Sequence, residues 1–173
     1  MKYKIARLFY PYGAVRRVLR GPLRGYQFIV APGYGLTYAL NARELHLNVL
    51  DRLVSPGMTV FDIGANRGLV SLLFSHRTGE RGKVFAFEPI EELNHDFTAN
   101  MKLNQVTNVH LVQAAVSHSN GEVLMEYSPE NSTQGKLQTV EPGLKVTNTH
   151  SLTVRTVALD DYVEAQGVCP DLI

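Results

Sequence analysis

The 173-residue chain, 45% hydrophobic and 19% charged, falls in the range of ordinary soluble globular domains and has length for one core rather than two. Its single cysteine, Cys169, excludes an internal disulfide, and no second Cys or clustered His suggests a zinc site, so the chain reads as cytoplasmic and Cys169 as a buried or bystander thiol. The net charge of +1 hides an asymmetry, because eight of the 17 Lys and Arg residues precede Glu44, the first acid, and the remaining nine face 16 acids.

The opening stretch, Met1 to Arg24, interleaves Lys2, Lys4, Arg7, Arg16, Arg17, Arg20 and Arg24 with Ile5, Leu8, Phe9, Val15, Val18 and Leu19. It reads as a solvated basic helix packed by its apolar side, with weak peripheral contact to an anionic membrane surface, or contact with a nucleic acid, as the other readings. Pro11 and Gly13 interrupt it, which leaves neither a spanning segment nor a secretory signal. Tyr26 to Val30 and Leu36 to Leu40 are strand-like runs around a hairpin turn at Ala31 to Gly35. Asn41 then caps a helix carrying Leu45, Val49, Leu50 and Leu53, which Ser55-Pro56-Gly57 stops.

Met58 to Ile63 is apolar, β-branched and aromatic except for Asp62, the pattern of a buried parallel strand. The tight turn Gly64-Ala65-Asn66-Arg67-Gly68 follows, then a helix with Leu69, Val70, Leu72, Leu73 and Phe74 that Thr78 to Gly82 terminates. Val84 to Phe87 is a second buried strand ending at Glu88-Pro89. The next helix has Glu91 and Glu92 in its first turn and Leu93, Phe97 and Met101 on one face. Val109 to Val112 is a third strand, continuing through Gln113 to Val116. This β-α-β-α-β order predicts an α/β fold, a doubly wound parallel sheet with helices on both faces.

Asn120-Gly121 signals a hairpin, with Glu122 to Tyr127 as a half-exposed strand. Ser128 to His150 lacks an apolar period and reads as a long loop, either a mobile β insertion or a substrate lid. Leu152 to Val157 resumes as a strand and Leu159 to Val163 as a short helix, with Asp160-Asp161 as its N-terminal cap. Pro170 to Ile173 begins a fourth buried strand, expected beside the first.

The turn after the first strand sits where a doubly wound sheet opens its binding crevice. Gly64 lets the backbone approach a ligand, Gly68 allows tight helix-to-strand packing, and Asn66 tolerates left-handed dihedrals. Glu88, at the end of the neighbouring strand, has a carboxylate suited to both hydroxyls of a ribose. The dinucleotide fingerprint needs glycines at positions held here by Gly64, Asn66 and Leu69, and two of the three fail. Asp62 also opposes a pyrophosphate, whereas S-adenosylmethionine, with a sulfonium and an ammonium and no phosphate, suits it electrostatically. Structural alternatives remain open: Asp62 as a cap of the next helix, and Glu88 as a solvated strand-end residue.

These strings, Val60-Phe61-Asp62-Ile63-Gly64-Ala65-Asn66-Arg67-Gly68, Phe85-Ala86-Phe87-Glu88-Pro89 and Asn100-Met101-Lys102-Leu103-Asn104, resemble the FkbM methyltransferase pattern in order and spacing. Ala114-Ala115-Val116-Ser117 and Val157-Ala158-Leu159-Asp160-Asp161 continue it. The resemblance implies a Rossmann-like class I methyltransferase sheet with S-adenosyl-L-methionine as cofactor and an oxygen acceptor on a sugar, polyketide or similar metabolite. It further implies that Asp62, Gly64, Ala65, Asn66 and Gly68 line the methionine part, that Glu88 holds the ribose, and that Gln113 and Ala114 lie beside the adenine. Asn100 and Asn104 read as helix-ending residues. The family's acidic motif after the fourth strand has no counterpart before Ile173, so the sheet is expected to be about half complete, its catalytic residues unassigned, and the polypeptide inactive alone.

The division expected is a basic segment over 1–25, a hairpin and helix over 26–57, and a partial methyltransferase domain with a β insertion over 58–173. The six histidines show no metal spacing, and with Trp absent and a base cluster only at the N-terminus, the expectation is a small-molecule partner and no nucleic acid. A nicotinamide-dependent oxidoreductase and a noncatalytic adenosine-binding module are the competing functions.

Overall fold

The computed structural model describes residues 11–30, 45–127, 136–137 and 150–173, with side chains over 11–30, 47–127 and 150–173. The turn at 31–35, the run at 36–40, the Asn41 cap, the first ten residues and most of 128–149 lie outside them. In chain order the elements are β1 (Val15–Arg17), β2 (Gln27–Ile29), α1 (Leu45–Leu53), β3 (Thr59–Ile63), α2 (Leu69–Thr78), β4 (Lys83–Phe87), α3 (Glu91–Leu103), β5 (Val109–Val112), β6 (Ala115–Ser117), β7 (Gly121–Tyr127), β8 (Lys136–Leu137), β9 (His150–Ala158) and α4 (Leu159–Gln166).

β3, β4 and β5 form a parallel sheet, with Val60 opposite Val84 and Phe85 opposite His110. Leu172 bridges Val60 in parallel on the outer side of β3, where the Phe61 amide donates to the Leu172 carbonyl at 2.9 Å. The expected fourth strand therefore starts beside the first, so the chain winds outward from β3 to β5 and returns to the other flank of β3. That reversal is the switch point at which such sheets open a crevice. Side-chain alternation sorts the two faces. Val60, Val84 and Ala86 point to one, under Val54, Leu72, Leu73, Phe74 and Phe97 from the α1, α2 and α3 region. Phe61, Phe85 and Phe87 point to the other and meet Tyr162 of α4, whose ring centroid is 5.0 Å from that of Phe87.

Three local expectations are corrected. Strand β1 pairs antiparallel with β2, Arg16 opposite Phe28, so 15–17 is strand rather than helix and a division at residue 25 would cut a hairpin. Positive φ at Gly13, Gly21 and Gly25 disfavours helix there and permits the turns, while Val18, Leu23, Phe28 and Val30 are buried together. The third strand does not continue to Val116: the Ala114 amide folds back to the Val112 carbonyl at 2.8 Å, and β6 joins a second, mixed sheet of order β6-β9-β7-β8. Within that sheet Asn120-Gly121 is no hairpin, because β9 returns between β6 and β7, parallel to the first and antiparallel to the second. Short-range turn chemistry gave the reversal but not the strand that slots into it.

Candidate active site

Asp62 is the one charged residue of β3, and strand alternation turns it inward toward α2. Its Oδ2 accepts the Ser71 hydroxyl at 2.5 Å, and Ser71 of α2 is itself fully buried. The Ser71 backbone amide also lowers the carboxyl's pKa, but burial dominates and pushes it up to about 6. The capping alternative therefore holds in part, since Ser71 lies in the first turn of α2, where Gly68 supplies no side chain at the N-cap.

The turn after Asp62 is tied to the end of β4. The amides of Gly64 and Ala65 donate to the Phe87 carbonyl at 2.9 and 3.0 Å. The Asn66 amide donates to Glu88 Oε2 at 2.9 Å, and Asn66 has the left-handed φ of 52° that its residue type tolerates. Glu88 Oε1 accepts the Ile90 amide at 3.0 Å. Glu88 is buried, not solvated, and its pKa is raised, first by desolvation and further by the nearby Asp62 carboxylate, against the two amides. Two carboxylates that each resist ionisation thus sit at adjacent strand ends, where a cation between them would relieve both. Gly64, exposed at φ 76°, has nothing within 4 Å of where a Cβ would stand, so the backbone is open to a ligand there.

Gly68 does different work from that expected. A Cβ there would meet Met101 Cε at 2.6 Å and Phe97 Cδ2 at 2.8 Å, so the close approach is between the turn and helix α3 rather than a strand. Ala65 is buried in the same cluster. Gln113 and Ala114 stand one strand farther on, beyond Val112, whose carbonyl takes the Glu88 amide at 3.1 Å. Gln113 is exposed and, with Pro89, Arg155 and Tyr162, lines an open groove of about 450 Å³. The Ala114 side chain is fully buried against Phe61, Phe85 and Phe87.

Asn100 is not a helix end. Inside α3 and fully buried, its Nδ2 donates to the Arg67 carbonyl at 2.9 Å and its Oδ1 accepts the Ile29 amide at 2.9 Å, joining the turn to the β1–β2 hairpin. Asn104, at the C-cap of α3, grips Gln27 through both its amide and its carbonyl. Nor is Asp160-Asp161 the cap of α4, which is Ala158; both acids lie in the first turn, and Asp161 Oδ2 accepts the Asn120 side-chain amide at 2.5 Å. Sequence reasoning missed Ser71 and the Arg67–Asp96 ion pair at 2.8 Å. The available signal for Ser71 was a small hydroxyl within the apolar first half of the helix, among Leu69, Val70, Leu72, Leu73 and Phe74, following an acid-bearing strand. No group of three or more acids, His or Cys among the described residues could hold a metal.

Fold and site place the protein among the doubly wound α/β proteins, which take their ligands at the carboxyl ends of parallel strands. Residues 62–173 match the model of the methyltransferase FkbM domain, and the chain belongs to that family, with the Rossmann-like α/β sheet of class I methyltransferases. Over 70 residues it is 37% identical to the ribosomal RNA large subunit methyltransferase E of Cellvibrio japonicus, a match covering 36% of this chain and 33% of that one. The chain thus spans about a third of the length of that curated relative. Among solved structures, a SAM-dependent methyltransferase from Aquifex aeolicus is 29% identical, with 39% and 36% of the two chains covered and a TM-score of 0.37. Precorrin-6y C5,15-methyltransferase from Geobacter metallireducens is 25% identical, with 50% and 43% covered and a TM-score of 0.41.

The match to a ribosomal RNA methyltransferase overturns the expectation of no nucleic acid among the partners. The exclusion rested on the absence of Trp and on the confinement of the base cluster to the N-terminus, and neither feature bars a nucleic-acid partner, since phosphate is recognised by a local patch and needs no Trp.

Proposed function

We propose that this family member binds S-adenosylmethionine across the ends of β3 and β4 and transfers its methyl group to an acceptor oxygen. The observation that carries the reading is the juxtaposition of two buried, reluctantly ionised carboxylates, Asp62 held by Ser71 and Glu88 held by the Asn66 amide, beside an open glycine turn. The cofactor's contribution is a methyl group activated by its bond to a positively charged sulfur. On the protein side, Asp62 favours the cationic amino-acid end, Gly64 to Gly68 let the backbone approach it, and Glu88 retains lone pairs for ribose hydroxyls. Gln113 and the Ala114 backbone border the adenine. A buried acid beside the turn opposes a pyrophosphate, which argues against a nicotinamide dinucleotide. The rate gain comes mainly from holding donor and acceptor in line.

For the acceptor, the family likeness favours a hydroxyl of a small metabolite such as a sugar or polyketide. The ribosomal RNA methyltransferase relative favours a second reading, an RNA oxygen. Calorimetry with S-adenosylhomocysteine tests the cofactor site: Glu88→Ala should weaken binding by about 1 to 3 kcal/mol, the cost of unmade charged hydrogen bonds. Unchanged affinity removes Glu88 from the site. Methyl transfer from labelled S-adenosylmethionine to ribosomal RNA, set against a panel of hydroxylated small molecules, separates the acceptors.

A further inference from the structure

Residues 11–30 carry four arginines, Arg16, Arg17, Arg20 and Arg24, and no acid. They form the β1–β2 hairpin, which precedes the span matched by the family model. Its inner side is committed to the core: Val18, Leu23 and Phe28 pack with Leu72, Phe97 and Met101, while Asn100 and Asn104 hold the backbone of β2. Tyr26 and His76 of α2 share a hydrogen bond of 3.0 Å. The outer side is basic. Arg17, Arg20 and Arg24 are exposed, and a Arg17 guanidinium nitrogen donates to the Gly25 carbonyl at 3.0 Å, which brings it beside Arg24. Two acids on the helices packed nearby are already matched, Asp51 with Arg77 and Asp96 with Arg67. Leu19, next to Arg20, is also exposed.

We infer that this hairpin is an RNA-docking surface, with Arg17, Arg20 and Arg24 meeting backbone phosphates. Rigid guanidinium groups on an acid-free surface suit the phosphates of a polyanion. A membrane surface fits less well, because an interfacial anchor needs a continuous apolar face and this hairpin has already turned Val18, Leu23, Phe28 and Val30 into the core. Asn100 links Ile29 directly to the Arg67 carbonyl, so an RNA held on the hairpin lies against the element that braces the Asp62 turn. The inference deepens the RNA reading of the acceptor and rests on it for biological meaning, but the binding it describes needs no cofactor.

Fluorescence anisotropy of the whole chain with a labelled single-stranded RNA of about 20 nucleotides tests it. The variant R17Q/R20Q/R24Q should bind at least about tenfold more weakly near physiological salt, with the slope of log affinity against log salt reduced by about 2. Because Arg17 also bonds Gly25, R20Q/R24Q serves as a second variant, and thermal melts of both should match the parent. An unchanged affinity and slope in folded variants overturns the inference. So does binding that the parent shows only to vesicles of phosphatidylcholine and phosphatidylserine. S-adenosylhomocysteine titrations on the same variants keep this separate from the cofactor site: the hairpin can fail while Glu88 stands, or the reverse.

Discussion

In the parallel sheet the middles of β3 and β4 are closed on both faces, so β4 is buried from Val84 to Phe87 and its only freedom is at its ends. In the mixed sheet, β7 and β9 are largely exposed through their first halves; Met125 and Tyr127 of β7 and Val154 of β9 pack on Ile90 and Leu93, and Val157 of β9 packs on Phe61, Phe85 and Phe87. Polar groups are used differently as a result. In the first region Asp62, Glu88 and Asn100 are buried and each hydrogen bond substitutes for lost water; in the second, Asn120 joins the turn before β7 to α4 in an exposed setting. The same chemical change should therefore cost far more in one region than in the other.

The largest effect is expected at Gly68. Gly68→Ala forces a side chain onto φ 86° and into Met101 and Phe97, and should lower stability by about 3 to 4 kcal/mol in denaturant titration. A variant as stable as the parent would mean that α3 can slide, and that the parallel half is looser than its packing suggests. Next, Asn100→Ala strands the Arg67 carbonyl and the Ile29 amide and should cost about 2 to 3 kcal/mol, with amide exchange at Ile29 rising most.

Asp62 gives a pH signature of about 2 kcal/mol. Its folded pKa, about 6, lies above the ordinary 3.8, so the folded state binds the proton more tightly. Stability should therefore rise as pH falls from about 7 toward 4 and be lost as pH climbs through that window, with Glu88 shifted in the same direction. Asp62→Asn should flatten the profile and be the more stable protein at pH 7.5, near neutrality, while binding S-adenosylmethionine less well. A parent profile with no slope between those values would place Asp62 in a wetter site. Smallest of all, Asn120→Ala in the mixed sheet should cost about 1 kcal/mol, since water can replace the bonds to Asp161 and the Ala158 amide. A loss equal to that of Asn100→Ala would erase the contrast between the two regions.

The parallel half was legible because each of its elements carries its own period and punctuation. Met58 to Ile63 shows an unbroken apolar strand, Gly64 to Gly68 a turn and Leu93, Phe97 and Met101 a helix face, and all three signals agree with the sheet they build. The mixed half was not, because Asn120-Gly121 specifies a reversal while the identity of the strand beside it depends on β9, which arrives only after the stretch 128–149. The N-terminal hairpin was misread for a related reason: interleaved arginines and aliphatics fit a helix face, a strand face or a turn, and burial of Val18 against Phe97 decided among them.

What the amino-acid order determined by itself is local: which segments are strands and helices in the parallel half, where Asp62 and Glu88 fall relative to strand ends, and that Asn66 tolerates the left-handed conformation it adopts. Only the tertiary structure decided that Glu88 is clasped by the Asn66 and Ile90 amides, that Ser71 holds Asp62, that Gly68 makes room for α3, and that Asn100 ties the hairpin to the turn. The reason is range. Periodicity and turn chemistry act over a few residues, whereas each of those contacts joins backbone and side chains from elements that meet only when the core closes.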